Sequence, residues 1–340
     1  MLDYHFRGAT FGEAYRQVML AVMERPDAVC SPRGMAVREV LGARLVLDDP
    51  RARVLASPAR AANYGFAAGE FLWYWRGASD VASIDYYNRR MKAWSDDGQV
   101  MAGAYGPRVR GDGGLWDRGL GGRSQWELAV DELVRDPDSR RAVVGIYVPY
   151  DAVRAATGTK DVPCTLSIQF LLRRSWYRAG RARPRLHAVV TMRSCDAVWG
   201  LANDVFSFTL LQEAMLLELQ ARGVDAELGA YVHTCGSLHV YSRHDDLARA
   251  VAAEAGPPAP PVPAIDRRGD LDLLVEDERA LREGRRDVVG GDYSGGARWL
   301  LERLLEHRAR RDAGPAGGGA AGGGAAGGGA AGPGRGREGS

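Results

Sequence analysis

The sequence has few cysteines, no excess of either charge and no long apolar run. The four cysteines (Cys30, Cys164, Cys195 and Cys235) are scattered and none belongs to a Cys-x-x-Cys pair, so neither a zinc site nor a disulfide framework is expected. The 45 Lys and Arg residues balance the 43 Asp and Glu residues, so net charge provides no general attraction to nucleic acid or membranes. No N-terminal segment resembles a signal peptide and no apolar run reaches membrane-spanning length. These absences predict a soluble cytoplasmic protein with reduced thiols.

Hydrophobic residues make up 46% of the 340-residue chain, which is enough for a sizeable core. Their spacing favours helices at 11–25, 62–76 and 203–222, and a helix that ends at residue 135. Runs of β-branched and aromatic residues favour strands at 39–48, 141–149, 165–173, 186–193 and 229–241. Strands interspersed with long helices predict an α+β (or α/β) fold.

The composition changes after about residue 250, and this divides the chain into four predicted segments. Residues 1–250 are predicted to form the main folded domain, and residues 251–266 a Pro-rich linker. Residues 267–312 form a charged helical extension, with a helix predicted at 297–311. Residues 313–340 are Gly/Ala repeats, which cannot bury a core and are predicted to be disordered.

Cys164, Arg193 and Asp204 occupy positions that suit chemistry. Cys164 follows a proline at the entry to a predicted strand, which suits an exposed nucleophile or an ordinary small core residue. Arg193 and Ser194 end the next strand, where the pair can bind phosphate or Arg193 can form a surface salt bridge with Asp196. Asp204 precedes a long helix, and that place alone favours a helix N-cap.

Three further segments carry polar groups that suit a nucleotide. Arg140 and Arg141 follow a helix end, where they form an anion site or an ordinary surface pair. His239 and Tyr241 alternate along a predicted strand and therefore point to one face, as a sugar-binding pair or a buried pair. Glu70 lies among aromatic residues that would raise its pKa and suit proton transfer, unless it is the polar edge of an amphipathic helix.

Taken in order, these segments resemble the motifs of the thymidylate synthase superfamily over residues 30–245. The resemblance implies a thymidylate synthase-like fold, with a large mixed β-sheet packed by helices and a sheet-to-sheet homodimer. It implies that Cys164 is the nucleophile and that Glu70 and Tyr105 relay protons and order water. The co-substrate implied is 5,10-methylenetetrahydrofolate, contacted by Asp196 and Trp94, and no metal is implied.

The resemblance also implies a site for a pyrimidine nucleoside monophosphate. Arg140 and Arg141 would reach the phosphate site of the partner subunit, and Arg38 is an alternative to Arg33 for phosphate. The substrate-binding residues implied are Arg33, Arg140, Arg141, Arg193, Ser194, Asp204, His239 and Tyr241.

The sequence departs from thymidylate synthases at several places, two of them beside the predicted base and nucleophile. Asp204 stands where those enzymes have the asparagine that binds uracil, and Thr165 rather than histidine follows the nucleophile. The Asn203-Asp204 pair, with the segment 236–244, resembles the deoxycytidylate hydroxymethylase branch, which CMP hydroxymethylases of nucleoside-antibiotic pathways share. A neutral carboxyl at Asp204 would donate to ring nitrogen 3 of cytosine and accept from its amino group.

The function expected from the sequence is therefore 5-hydroxymethylation of dCMP through a covalent Cys164 adduct and addition of water. The alternatives are a CMP 5-hydroxymethylase, because ribose and deoxyribose share the 3′ hydroxyl, and a thymidylate synthase acting on dUMP. A catalytically inactive nucleotide-binding or RNA-binding relative, and a scaffold that uses the C-terminal helix, are alternatives from other classes. No nucleic-acid or membrane partner is expected.

Overall fold

A mixed sheet of seven strands forms the centre of the fold in a computed structural model that describes residues 3–111, 122–174, 183–285, 291–293 and 295–313. The strand order is β1-β3-β7-β6-β5-β4, and β2 pairs with β3. Strands β1 and β3 are parallel, as are β6 and β7, and the other neighbours are antiparallel. The strands are β1 (His5–Gly8), β2 (Ala28–Cys30), β3 (Val37–Leu47), β4 (Val143–Gly145), β5 (Thr165–Arg173), β6 (Arg185–Asp196) and β7 (Glu227–Tyr241).

The described helices pack around this sheet and at its ends. The longest is α8, which lies against β6 and β7. The helices are α1 (Phe11–Glu24), α2 (Tyr64–Trp75), α3 (Val81–Asp85), α4 (Met91–Trp94), α5 (Gly106–Val109), α6 (Gln125–Arg135), α7 (Pro149–Ala156), α8 (Gly200–Ala221), α9 (Asp245–Ala253), α10 (Gly269–Arg282) and α11 (Gly295–Asp312). None of the described helices is long and apolar enough to cross a membrane.

Strand β6 shows how the sheet separates its two faces. Leu186, Ala188 and Val190 are fully buried beneath α8, whereas the alternating Val189 and Thr191 are half-buried on the opposite face. This period of two is the pattern of a sheet with one covered face. Strands β5 and β7 alternate in the same way, so the partly covered face extends over three neighbouring strands.

Helix α2 is surrounded by other helices, because every residue from Gly65 to Trp75 is buried. It packs against α8 on one side and against α10 and α11 on another. Trp75 Nε1 donates a hydrogen bond to Asp272 Oδ1 at 3.2 Å. A Cβ added at Gly65 would lie 2.5 Å from His307 Cβ, so glycine allows the close approach of α11. The charged C-terminal segment therefore covers an apolar helix of the main domain.

The segment before α10 is also attached to the main domain, through Glu213. Glu213 lies on α8, is 1% exposed, and accepts from Arg53 at 2.5 Å and Arg51 at 2.9 Å. Its Oε1 also accepts from the backbone N–H of Ile265 at 3.0 Å. This buried ion-pair network fixes the end of the predicted linker against the core.

The predicted helices and most of the predicted strands are confirmed. The strand predicted at 141–149 is wrong in extent, because only Val143–Gly145 pairs with β5. Proline at residue 149 begins α7, where its fixed φ suits the first helical turn and ends the extended segment. The predicted disordered tail lies outside the described residues, except for residue 313.

Candidate active site

A cavity of about 710 Å³ lies at the carboxyl ends of β6 and β7, a volume typical of small-molecule sites. Helices α2 and α8 and the segment before β5 complete its walls. It brings together eleven residues predicted from the sequence, although they come from distant parts of the chain. They are Arg33, Glu70, Trp94, Tyr105, Cys164, Arg193, Ser194, Asp196, Asp204, His239 and Tyr241.

Arg193 holds the segment that carries Cys164. Its Nε donates to the Pro163 carbonyl at 2.9 Å, and its Nη2 donates to the Val162 carbonyl at 3.0 Å. The same Nη2 lies 3.6 Å from Cys164 Sγ. A guanidinium suits this task because its donors are fixed in one plane. Arg193 therefore orients the thiol as well as placing a positive charge beside it.

The pKa of Cys164 is raised, mainly because burial disfavours the thiolate. The Arg193 charge lowers the pKa of this thiol, but burial outweighs it. Arg193 therefore lessens the rise in the pKa of Cys164 without reversing it. Desolvation, which depends on the folded surroundings, decides the direction of the shift.

Two carboxyl groups in the cavity have raised pKa values. Burial, together with the nearby Asp204 charge, raises the pKa of Glu70 to about 8, while a hydrogen bond with Tyr74 opposes the shift. Burial raises the pKa of Asp204 to about 7, and a hydrogen bond from Cys195 opposes that shift. The Asp204 charge therefore favours the neutral form of Glu70, and the nearby Asp196 charge adds to the rise at Asp204. The cavity therefore holds two carboxyl groups whose pKa values lie near neutral pH.

Two tyrosines line the cavity beside these carboxyls and the nucleophile. The Tyr105 hydroxyl accepts from the backbone N–H of Thr165 at 3.4 Å, directly after Cys164. The Tyr74 and Tyr105 rings have their centroids 5.2 Å apart, and both line the cavity. Sequence reasoning missed Tyr74, although its spacing of four residues from Glu70 on a helix places both on one face.

The sugar-binding candidates lie at the carboxyl end of β7. His239 and Tyr241 rings are 5.0 Å apart, and Ser237, missed from the sequence, lies two residues earlier in the same cavity. Burial lowers the pKa of His239, which favours a neutral imidazole. Ser237 donates to Glu39 of β3, a second missed residue. Strand alternation could have revealed Ser237, whereas Glu39 approaches only through strand pairing.

Asp196 lies deep in the wall and has a structural task. Its Oδ1 accepts from the backbone N–H of Val198 at 2.9 Å and of Trp199 at 3.3 Å, in the turn before α8. Burial raises its pKa, and the neighbouring His239 opposes the shift. The hydrogen bonds to this turn orient the beginning of the helix that carries Asp204.

The structure distinguishes Arg33 from Arg38, the two alternatives for binding the phosphate. Arg33 lines the cavity, in a turn where its φ is 53°. Arg38 instead pairs with Asp245 at 3.1 Å and does not line the cavity. Arg140 and Arg141 are exposed outside it, and Arg141 Nε lies 2.9 Å from Glu132 Oε1.

The family model described as thymidylate synthase matches residues 13–272, which is most of the chain and includes the whole cavity. This chain belongs to the thymidylate synthase family.

Relatives within the family carry different names. The chain is 31% identical over 245 residues to the deoxyuridylate hydroxymethyltransferase of Bacillus phage SP01, covering 70% of this chain and 59% of that protein. It is 29% identical over 232 residues to the deoxycytidylate 5-hydroxymethyltransferase of Enterobacteria phage T4, covering 66% and 83%. The solved thermostable thymidylate synthase A from Bacillus subtilis has a TM-score of 0.58 at 21% identity, covering 74% and 87%, and shows the same fold.

Thymidylate synthase family members use 5,10-methylenetetrahydrofolate as co-substrate, and the cavity suits such a group. Trp73, Trp94, Met91 and Met101 line one part of it, and provide an apolar surface on which a flat pterin ring can pack. Of the two predicted folate residues, Asp196 already accepts hydrogen bonds from the backbone of its own chain. No group of acidic, His or Cys side chains among the described residues could hold a metal ion.

Proposed function

We propose that this protein transfers a one-carbon unit from 5,10-methylenetetrahydrofolate to carbon 5 of dCMP and releases 5-hydroxymethyl-dCMP. The observation that carries the proposal is the Asp204 carboxyl, which faces the same cavity as Cys164 and has a pKa of about 7. A neutral carboxyl can donate to ring nitrogen 3 of cytosine and accept from the amino group. Leaving either polar group unpaired in a buried site costs about 1–3 kcal/mol, so a carboxyl whose proton is held in this order can select cytosine.

Cys164 starts the reaction by adding its sulfur to carbon 6 of the pyrimidine. The addition gives carbon 5 the character of an enamine nucleophile. When bound, 5,10-methylenetetrahydrofolate would supply the methylene that carbon 5 acquires. It would leave as tetrahydrofolate once carbon 5 has lost its proton to a base of the cavity. Burial disfavours the Cys164 thiolate. The Arg193 charge, whose Nη2 lies 3.6 Å from Cys164 Sγ, opposes this effect and supports formation of the thiolate. Trp94 and the apolar side chains near it exclude water from one side of the site.

Glu70 and its neighbours complete the reaction. A Glu70 carboxylate with a pKa of about 8 is a stronger base than an exposed one, and can accept a proton from water that adds to the new methylene carbon. The bond between Cys164 and carbon 6 then breaks, and the sulfur keeps the electron pair. Tyr74 and Tyr105 supply hydroxyl groups that orient this water. The result is a hydroxymethyl group rather than a methyl group.

The phosphate and sugar ends of the cavity support a deoxynucleoside monophosphate. Arg33, Arg193 and Ser194 provide charged and hydroxyl donors for the phosphate. His239 and Tyr241 provide polar groups for the 3′ hydroxyl. The arginine pair and Ser194 follow the pattern of the deoxynucleotide enzymes, which favours dCMP over CMP.

A homodimer would complete the phosphate site. Leu171, Val189 and Val232 lie on the half-buried face of β5, β6 and β7, where a second sheet could cover them. Arg140 and Arg141 lie outside the cavity of their own chain and remain exposed for a partner's phosphate. Gel filtration with light scattering should therefore give a dimer, and exchange of Arg141 for glutamine should raise KM for the nucleotide.

The proposal is tested by the mass of the product. The protein is incubated with 5,10-methylenetetrahydrofolate and, in separate reactions, dCMP, CMP or dUMP. A hydroxymethyl increment on dCMP supports the proposal, whereas a methyl increment on dUMP with unreacted dCMP refutes it. A hydroxymethyl increment on CMP alone would assign the runner-up substrate.

Two cysteine variants test the covalent step in the same assay. Cys164→Ser should abolish turnover, because a serine hydroxyl is a far weaker nucleophile than a thiolate. Cys235→Ser is the matched control, since Cys235 is a buried thiol that does not line the cavity. An active Cys164→Ser variant would exclude the proposed adduct.

A further inference from the structure

Cys195 contacts the carboxyl group that is proposed to recognise the base. Cys195 lies near the carboxyl end of β6 and is 2% exposed. Its Sγ lies 3.5 Å from Asp204 Oδ2. The other acceptor near this thiol is the Asp196 carbonyl, at the longer distance of 3.8 Å. Both Cys195 and Asp204 line the cavity. The thiol can therefore donate its proton to the carboxyl group that is proposed to meet the base.

A neutral carboxyl group alone does not distinguish cytosine from uracil. Cytosine presents an acceptor at ring nitrogen 3 and a donor at the amino group on carbon 4, whereas uracil presents a donor and then an acceptor. A carboxyl group has one proton, which either oxygen can carry. If the proton moves freely between the two oxygens, the carboxyl complements both bases. A further group must therefore hold the proton in one place for the cavity to select one base.

The Cys195 thiol removes the symmetry between the two oxygens. A carbonyl oxygen accepts a hydrogen bond from S–H better than a hydroxyl oxygen does, so the proton favours the oxygen that lies away from the thiol. Rotation of the carboxyl by half a turn changes nothing, because the oxygen that then lies beside the thiol becomes the acceptor. Asp204 thus presents its donor and its acceptor in a fixed order.

We propose that Cys195 is a positioning residue that fixes the proton of Asp204 and thereby determines which pyrimidine the cavity accepts. The choice of base rests on the proposed function, under which the fixed order matches cytosine. Cys195 itself need not touch the reacting atoms.

The test compares the wild-type protein with Cys195→Ala and Cys195→Ser. The measured quantity is the ratio of kcat/KM for dCMP to kcat/KM for dUMP. Alanine removes the donor, so the ratio should fall towards one by about five-fold, which corresponds to about 1 kcal/mol for one weak hydrogen bond. Serine retains a donor of similar size, so its ratio should equal or exceed that of the wild type.

A second measurement follows selection without turnover. In the Cys164→Ser background, calorimetry gives the dissociation constants of dCMP and dUMP in the absence of folate. The additional Cys195→Ala exchange should bring these two constants closer together, and the additional Cys195→Ser exchange should not. A residue with only a structural role would weaken both nucleotides alike and leave their ratio unchanged.

Each result decides the proposal. An unchanged ratio in Cys195→Ala overturns it, and so does a serine variant that loses as much discrimination as alanine. If the alanine variant does not fold, the serine variant still decides, because a ratio below that of the wild type contradicts the role of a donor. A wild-type protein that prefers dUMP would refute the proposed substrate, but a ratio moved towards one by alanine would still support the role of Cys195.

Discussion

Exchange of Glu70 for glutamine should stabilise the protein at alkaline pH while it removes the proposed base. Glu70 is 8% exposed, and its pKa is raised from 4.5 to about 8. In the unfolded chain the carboxyl loses its proton near pH 4.5, whereas in the folded chain it keeps the proton until about pH 8. Unfolding therefore releases a proton between these values. The free energy of unfolding falls as pH rises through this window.

The magnitude follows from the two pKa values. Between about pH 5 and about pH 8.5, a shift of this size removes about 4 kcal/mol from the stability of the wild type, at 1.36 kcal/mol for each pKa unit. Glutamine cannot ionise, so the variant does not incur this loss. Because the Asp204 charge contributes to the shift, the two carboxyls titrate together and the change spans more than one pH unit.

Urea unfolding of the wild type and Glu70→Gln at both pH values measures this effect. The stability of the variant relative to the wild type should rise by about 4 kcal/mol between about pH 5 and about pH 8.5. Any penalty from burying the amide is independent of pH and cancels in this difference. An equal stability difference at the two pH values would refute the argument that burial holds Glu70 neutral.

Three further exchanges test other parts of the account. Arg193→Gln should raise the pKa of Cys164, since the Arg193 charge lowers it. Peptide mapping should then show slower alkylation of Cys164 at fixed pH than in the control Arg38→Gln. Equal alkylation rates would contradict the contact between Arg193 and Cys164. Tyr74→Phe should raise the pKa of Glu70 and shift the pH profile of kcat to higher pH, and an unmoved profile would show that Tyr74 does not act on Glu70. Glu213→Gln leaves Arg53 buried without its charge partner and should cost about 3–5 kcal/mol in urea unfolding, whereas a loss below about 1 kcal/mol would show that the network is not stabilising.

Periodicity was sufficient to predict the elements that carry the site. The period of two in β6 and β7 placed His239 and Tyr241 on one face, and the helix at 203–222 placed Asp204 near its beginning. The strand at 141–149 was overextended, because the apolar run continues to a proline that begins a helix instead. Local pattern alone does not show whether the apolar run continues as a strand or enters a helix.

Properties that depend on distant contacts were beyond local pattern. Burial, rather than the nearby Arg193, decides the direction of the Cys164 pKa, and burial comes from segments far apart in the chain. Arg38 pairs with Asp245, which lies far from it in the sequence, so local pattern could not separate it from Arg33. The C-terminal helices looked like a separate charged segment, yet their apolar side chains cover α2. Arg140 and Arg141 depend on a second subunit for their predicted role.

The most direct test of the central claim is a competition between dCMP and dUMP at equal concentrations, with 5,10-methylenetetrahydrofolate present. Mass spectrometry of the early products gives their ratio without any difference in protein amount or folding. The account predicts that 5-hydroxymethyl-dCMP predominates, because a neutral Asp204 with a fixed proton complements cytosine. A predominant product from dUMP, or a methyl group in place of the hydroxymethyl group, would contradict it.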